Sequence, residues 1–287
     1  MTQAYVSTPK SGRARTAFRS DEVGSFTDTE SRSLYFEETW DDYSPDYSSD
    51  FGWRQYYQAL FLINYTIENE NKMTGGSKEE IAQLVGEAYA MRAYIHFMLV
   101  NLYGKPYNEE NLNTKAVPLK LNSNTEDAPS RNTVAEIYAA IESDIVEAGK
   151  RLNVEKWDVG FNYRFTTTAL KAFRSRLYLY MQKWSESLNA SKEVLEINKE
   201  LVDLSQTTMP NNYQSVESIM ALEYSSADIN RAIYISTDLY NLYNSNDYRR
   251  KNRFYTSEGG GRYTVRKGGS NEYACTFRTC LLYTSDA

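Results

Sequence analysis

Residues 28–51, DTESRSLYFEETWDDYSPDYSSDF, interleave carboxylates with aromatic rings: Trp40, Tyr43 and Tyr47 stand among Asp41, Asp42, Asp46 and Asp50. Such rings pack against the C–H faces of sugars while carboxylates take the hydroxyls, and an exposed loop is where both would be reachable. The candidate ligand-binding residues are therefore Trp40, Tyr43 and Tyr47, with Asp42 or Asp46 on hydroxyls. Other chemistries use the same residue types. The aspartates could ligate calcium, but their spacing is not that of an EF-hand loop. Two carboxylates could hydrolyse a glycoside, and a pair brought together by folding leaves no trace in spacing. A solvated acidic loop also fits the composition, and the interleaved rings are what favours binding over it.

The lone histidine, His96, follows Arg92 by one turn within EAYAMRAYIHFMLVNLYGKPYN (87–108). General acid–base work needs an imidazole facing a cleft. Here the helical neighbours are aliphatic and aromatic, and no Ser or Cys stands in an activating context, so a packed, hydrogen-bonded structural histidine is expected. Gly259, Gly260 and Gly261, with Arg262 and Thr264, lack the Lys–Ser/Thr step of a phosphate loop and read as a hairpin. No catalytic residue, metal site or cofactor is called for.

The 287 residues carry a formal net charge of −6, and a pI near 5.1 argues against a nucleic-acid partner, which needs clustered Lys and Arg. Hydrophobic residues at 41% and charged residues at 24% fit a globular chain. The 25 tyrosines suit half-buried helix faces and ligand-contacting surfaces alike. Cys275 and Cys280 are the only cysteines, which leaves no disulfide framework. The first residues show no secretory signal, and no run has the length and apolarity of a membrane span.

The elements that would position these residues are mostly helices. Residues 1–50 read as a loop-rich segment with one short helix. Residues 51–204 read as a helical, tetratricopeptide-like region. Trp53, Tyr57, Leu60, Asn64 and Ile67 mark its first helix, closed near TGG (74–76). Ser77 and Glu80 form a capping box opening a second, with a seam from Ile81 to Leu102 and another through Val85, Tyr89, Arg92, His96 and Leu99. Gly104 is placed as its left-handed C′ residue. Thr133 and Glu136 open a third helix. Leu170, Phe173, Leu177, Tyr180 and Trp184 mark a fourth, and, after a break near Lys183–Ser185, Leu188, Ser191 and Leu195 mark a fifth. The short link between these two predicts an antiparallel pair close to the tetratricopeptide period, with Ser175, Tyr178 and Ser187 at its small, aromatic and small positions. Residues 205–279 read as mixed and irregular, with short strands in SIMALEY (218–224) and AIYIST (232–237) and a hairpin in EGGGRYTVRKGGS (258–270).

Taken together, these segments resemble the SusD/RagB family of outer-membrane nutrient-binding lipoproteins. SDEV (20–23), WRQYYQALFLIN (53–64), EAYAMRAYIHFMLVNLYGKP (87–106), AVPL (116–119), PSRNTVAEIYAAIESDIVEA (129–148), ALKAFRSRLYLYMQKWSES (169–187) and NDYRRKNRF (246–254) occur in that family's order. The resemblance covers about residues 18–279. It implies a mainly α fold of tetratricopeptide-like hairpins with long loops, and a non-enzymatic protein at the extracellular face of the outer membrane. Such a protein binds glycan, or peptide in some branches, and passes it to a TonB-dependent, SusC-like transporter. Its helical repeats would meet the transporter and its loops the ligand, which makes 87–108 scaffold.

The lipoprotein signal and lipidated cysteine expected of that family are absent here, and CLLYTSDA (280–287) departs from its pattern. The chain is therefore expected to be a fragment of the N-terminal part, with residues 280–287 non-native. The rival reading is a cytosolic tetratricopeptide-like protein-interaction scaffold, favoured by the missing signal and opposed by a single weak repeat and long Tyr-rich loops.

Overall fold

Helix α3, Lys78–Tyr103, runs through the centre of the molecule and decides where the other helices lie. The structure, a computed structural model, describes residues 1–7, 23–25, 52–206, 213–224, 233–251, 255–259, 262–265, 273–274 and 277–278. Along α3, every residue from Val85 to Val100 is buried except the half-buried Tyr89 and Met98. A helix apolar on more than one stripe must be covered on more than one side. Here α2 (Trp53–Glu68), α4 (Val134–Gly149) and α5 (Thr167–Tyr180) pack against it. The short α1 (Thr2–Ser7) lies on α2 and adds Ala4 and Tyr5 to the core.

Both capping boxes form. Ser77 Oγ accepts the Glu80 N–H while Glu80 accepts the Ser77 N–H at 2.7 Å. Thr133 and Glu136 repeat the arrangement at the start of α4, with the return bond at 2.8 Å. The N–H each glutamate accepts holds its carboxyl below the ordinary range. Between α3 and α4 the chain makes the antiparallel ladder β2 (Lys115–Pro118) and β3 (Arg131–Thr133).

Helix α6 (Trp184–Leu195) returns along α5. Their contact is made close by serines: Ser175 Oγ and Ser191 Oγ lie 2.7 Å apart, and Ser187 Oγ donates to the Ser175 carbonyl at 2.9 Å. Ser175 and Ser187 thus take the small positions expected of them. Two local expectations are corrected. Trp184 does not continue α5 but opens α6, because Gln182 takes a left-handed turn (φ 59°) that breaks the helix. Gly104 caps α3 in an extended conformation (φ −106°, ψ 176°), so left-handed freedom is not its role. Contact is its role: a Cβ there would meet the Val100 carbonyl at 2.6 Å and Ala116 Cβ at 2.8 Å.

The later elements are short. A four-stranded antiparallel sheet has the order β1 (Val23–Ser25), β6 (Ile233–Ile235), β8 (Arg262–Val265), β7 (Tyr255–Gly259). The β7–β8 pair is the hairpin expected at the glycine run. Strand β4 (Ser218–Met220) pairs with β10 (Phe277–Arg278), and β5 (Glu223–Tyr224) with β9 (Tyr273–Ala274). The first of these pairs carries Phe277 into the helical core, where it meets Tyr94 and Phe173 at ring separations of 6.2 and 6.1 Å. Helices α7 (Thr237–Leu242) and α8 (Tyr248–Lys251) lie between β6 and β7 in the chain.

Arg92 is buried in this frame. Its Nε and Nη2 donate to Asp144 on α4 at 2.8 and 2.6 Å. Its Nη1 donates to Asn64 on α2 at 2.9 Å and to the Leu121 carbonyl at 3.3 Å. Asn64 in turn donates to the Lys120 and Asn122 carbonyls, both at 3.0 Å. His96 is also buried, and its Nε2 accepts the Lys120 N–H at 3.3 Å. Burial, followed by the nearby Arg92 charge, lowers its pKa from 6.5 to about 3, against a hydrogen bond to the Arg92 main chain.

Two outcomes follow. Removing the guanidinium strands the Asp144 carboxylate, so Arg92→Ala is expected to cost about 3–5 kcal/mol in urea unfolding. The apolar pair Arg92→Met with Asp144→Leu should regain most of that loss; a double variant as weak as the single one would show that the ion pair itself holds the helices. For His96, the unfolded chain takes up a proton near pH 6.5 and the folded chain does not. Stability is therefore full above pH 6.5 and falls as pH drops toward 3, with a slope approaching about 1.4 kcal/mol per pH unit. Between pH 6.5 and 5 the His96→Gln variant should lack this slope, which unfolding curves across that window would measure.

Candidate functional site

Trp40, Tyr43, Tyr47, Asp42 and Asp46 all lie outside the described residues. The other sequence candidate, His96 with Arg92, is a buried hub whose ring and guanidinium already bond the 120–122 loop and its neighbouring helices. Among the described residues, no group of three or more His, Cys, Asp or Glu side chains could hold a metal ion. None of their helices is long and apolar enough to cross a membrane.

A different place gathers binding chemistry. The loop between α4 and α5 is anchored from α3, because Gln83 Oε1 accepts the N–H groups of Asn153 and Val154 at 2.8 and 3.1 Å. The Thr167 N–H returns to the Val154 carbonyl at 2.9 Å, closing the loop at the start of α5. Gly160, at φ 99°, makes the turn within it. Here stands Trp157, its Nε1 donating to the Phe165 carbonyl at 3.3 Å and its ring covered on one side by the Arg164 guanidinium at 4.0 Å.

Arg164 is itself fixed from below. Its Nε and Nη2 fork onto the fully buried Glu87 at 3.1 and 2.7 Å. Glu87 also accepts from Tyr5 Oη at 2.9 Å and from Gln83 Nε2 at 3.1 Å. Burial first, and then the Glu87 charge, raises the Tyr5 pKa well above its ordinary value, so its hydroxyl stays a donor. Four donor atoms from three residues thus meet this buried carboxylate.

Facing Trp157 across a cavity of about 430 Å³ are the residues after α6 and the stretch leading into β4. Asn162 ties the walls together: its Nδ2 donates to the Tyr213 carbonyl at 2.7 Å, and its own carbonyl accepts the Ala221 N–H at 2.9 Å. Asn198 Nδ2 donates to the Val216 carbonyl at 3.3 Å. Val159 and Val216, both more than half exposed, are apolar parts of the lining. The rim carries Glu155 and Glu200 against Lys156 and Lys199, all exposed. Ser218 Oγ, in the same lining, is buried with no hydrogen-bond partner among the described residues, a state that ordinarily costs about 1–3 kcal/mol. A held indole, amides and balanced charge suit a polar ligand with flat apolar faces. Sequence reading passed over this loop. The signal that could have found it is WDVGFNYRF (157–165), dense in aromatics and centred on a turn glycine between two helices.

The chain is similar to known proteins in sequence and in fold. Residues 4–179 match the SusD-like family described as "Starch-binding associating with outer membrane". A SusD-like protein of Formosa agariphila is 27% identical over 157 residues, which are 54% of this chain and 28% of that protein. A SusD superfamily protein from Bacteroides vulgatus superposes with a TM-score of 0.82 at 18% identity, covering 99% of this chain and 72% of its own. A laminarin-binding SusD-like protein superposes at 0.77 with 15% identity, covering 99% of this chain and 77% of its own. The two structures establish the likeness of fold. With the family match running from α1 through nearly all of α5, the chain belongs to the SusD-like family.

Proposed function

We propose that the whole protein is a non-enzymatic binder of oligo- or polysaccharide at the outer face of the outer membrane, and that it passes its ligand to a TonB-dependent, SusC-like transporter. The observation that carries this reading is the family match over residues 4–179, because that family is described by starch binding and outer-membrane association. The laminarin-binding relative of the same fold supports a glycan as the ligand. The residues of this chain agree with it in composition. Carbohydrate recognition needs rings for C–H faces and carboxylates or amides for hydroxyls, and Trp40, Tyr43 and Tyr47 with Asp42 and Asp46 supply both.

In this reading the acidic, aromatic segment 28–51 serves the ligand, while the helical region 51–204 serves as the rigid support and meets the transporter. Binding residues on loops held by a rigid scaffold are a common division of labour. The interior of α3 suits support better than turnover: Arg92, His96 and Glu87 are all buried and paired.

Electrophoresis of the chain through gels containing soluble polysaccharides tests the reading. At least one neutral glycan is expected to retard it, and Trp40→Ala with Tyr43→Ala is expected to abolish that retardation. Unchanged mobility of the double variant would remove these residues from the site. Release of reducing ends from the retained glycan would overturn the non-enzymatic reading.

A further inference from the structure

We propose that the cavity between the 153–166 loop and residues 213–219 is a second carbohydrate site, taking a short stretch of neutral pyranose chain against Trp157 and Tyr213. The inference rests on the glycan-binding reading and adds a place to it that lies apart in sequence from the acidic, aromatic segment at 28–51.

Size comes first. The cavity of about 430 Å³ falls in the small-molecule range of about 300–1,000 Å³ and has room for about two hexose rings. Preorganisation is the second argument. Trp157 is held by its bond to the Phe165 carbonyl and by Arg164 on its ring, and Arg164 is forked onto buried Glu87. A ring already fixed loses little freedom on stacking with a sugar. On the facing wall, Asn162 holds the main chain at Tyr213, and Asn198 holds it at Val216.

The third argument is charge. Lys156 and Lys199 are offset by Glu155 and Glu200, so the rim offers no net attraction for a uronate or for a strongly charged peptide. A neutral ligand with many hydroxyls and apolar C–H faces fits that rim best. Two sites on one protein would also engage a polymer together, so long chains would be held more tightly than either site alone allows.

The test is titration calorimetry on the full chain, with a neutral polysaccharide that retards it in gels and with short oligosaccharides of the same linkage. Trp157→Ala and Tyr213→Ala are each expected to weaken binding about tenfold. Val216→Arg replaces a side chain that is 53% exposed and lines the cavity, so it should block the site without disturbing the core. It guards against a Trp157 variant that fails to fold, and thermal melting of each variant separates the two effects. Undiminished affinity in Tyr213→Ala and Val216→Arg, with the parent chain still binding, overturns this site and leaves the general reading standing. A parent chain that binds no glycan in the panel overturns both. Binding of a neutral peptide that Val216→Arg abolishes, with no saccharide effect, overturns the carbohydrate assignment.

Discussion

A guanidinium cannot shed its charge at any pH a protein survives, so placing Arg92 inside α3 obliges the surroundings to supply acceptors in a planar fan. They come from separate parts of the chain: the Asp144 carboxylate from α4, the Asn64 carboxamide from α2, and the Leu121 carbonyl from the connection after β2. Each acceptor sets a distance and an angle, so α2, α3 and α4 cannot slide past one another without stranding a charge. Apolar packing supplies much of the driving force but little register, because a Leu or Ile stripe tolerates small shifts. The ion pair contributes the register. Burial raises the Asp144 carboxyl above its ordinary range while Arg92 pulls the other way, so neither group is comfortable without its partner.

Glu87 extends the same logic toward the other end of α3. Its carboxylate is fully buried and is met by Tyr5 from α1, Gln83 from the preceding turn and Arg164 from the α4–α5 loop. The consequence reaches the surface. Arg164, fixed at its guanidinium, lies on the Trp157 ring, and Gln83 pins the start of the same loop through Asn153 and Val154. A buried charge in the central helix thereby sets the position of an aromatic ring at the cleft. Loops commonly carry binding residues because they can vary, and this one carries them in a fixed geometry because its two ends and its arginine are tied to α3.

What could be read in the sequence divides along contact distance. Ser77 with Glu80 and Thr133 with Glu136 were legible because a capping box is closed within four residues. The double seam of α3 was legible because burial on several sides leaves its mark in one helix's own periodicity. The break expected near Lys183–Ser185 falls slightly earlier, which moves Trp184 into the next helix, because Gln182 takes a left-handed conformation unusual for a residue with a Cβ. Gly104 was assigned the wrong reason because the neighbour that excludes a Cβ, Ala116, comes from β2 and not from the local chain. Asp144 opposite Arg92 and Arg164 opposite Glu87 are separated by 52 and 77 residues, and no pattern in one sequence pairs them. The cleft was hidden for the same reason: Trp157 and Tyr213 become neighbours only after α5 and α6 have folded back between them.

These pairings also bear on where chemistry can occur. A side chain used for catalysis or capture must be able to exchange partners, and the polar groups inside α3 have none to exchange. His96 is held neutral by burial and by the Arg92 charge, and Glu87 is surrounded by donors. Replacing the partners of Arg92 or Glu87 by water would expose an ion to a poorly solvated interior. The central helix is therefore committed to support, and exchangeable chemistry is left to the surfaces that it positions. At the cleft the buried partners are fixed and the exposed residues are varied in charge and shape, with two acids, two lysines, an indole, a phenol and three carboxamides around one cavity. Selectivity at such a site depends less on any single contact than on how little the Trp157 ring must reorganise to meet a ligand, and that economy originates in the Arg164–Glu87 ion pair beneath it.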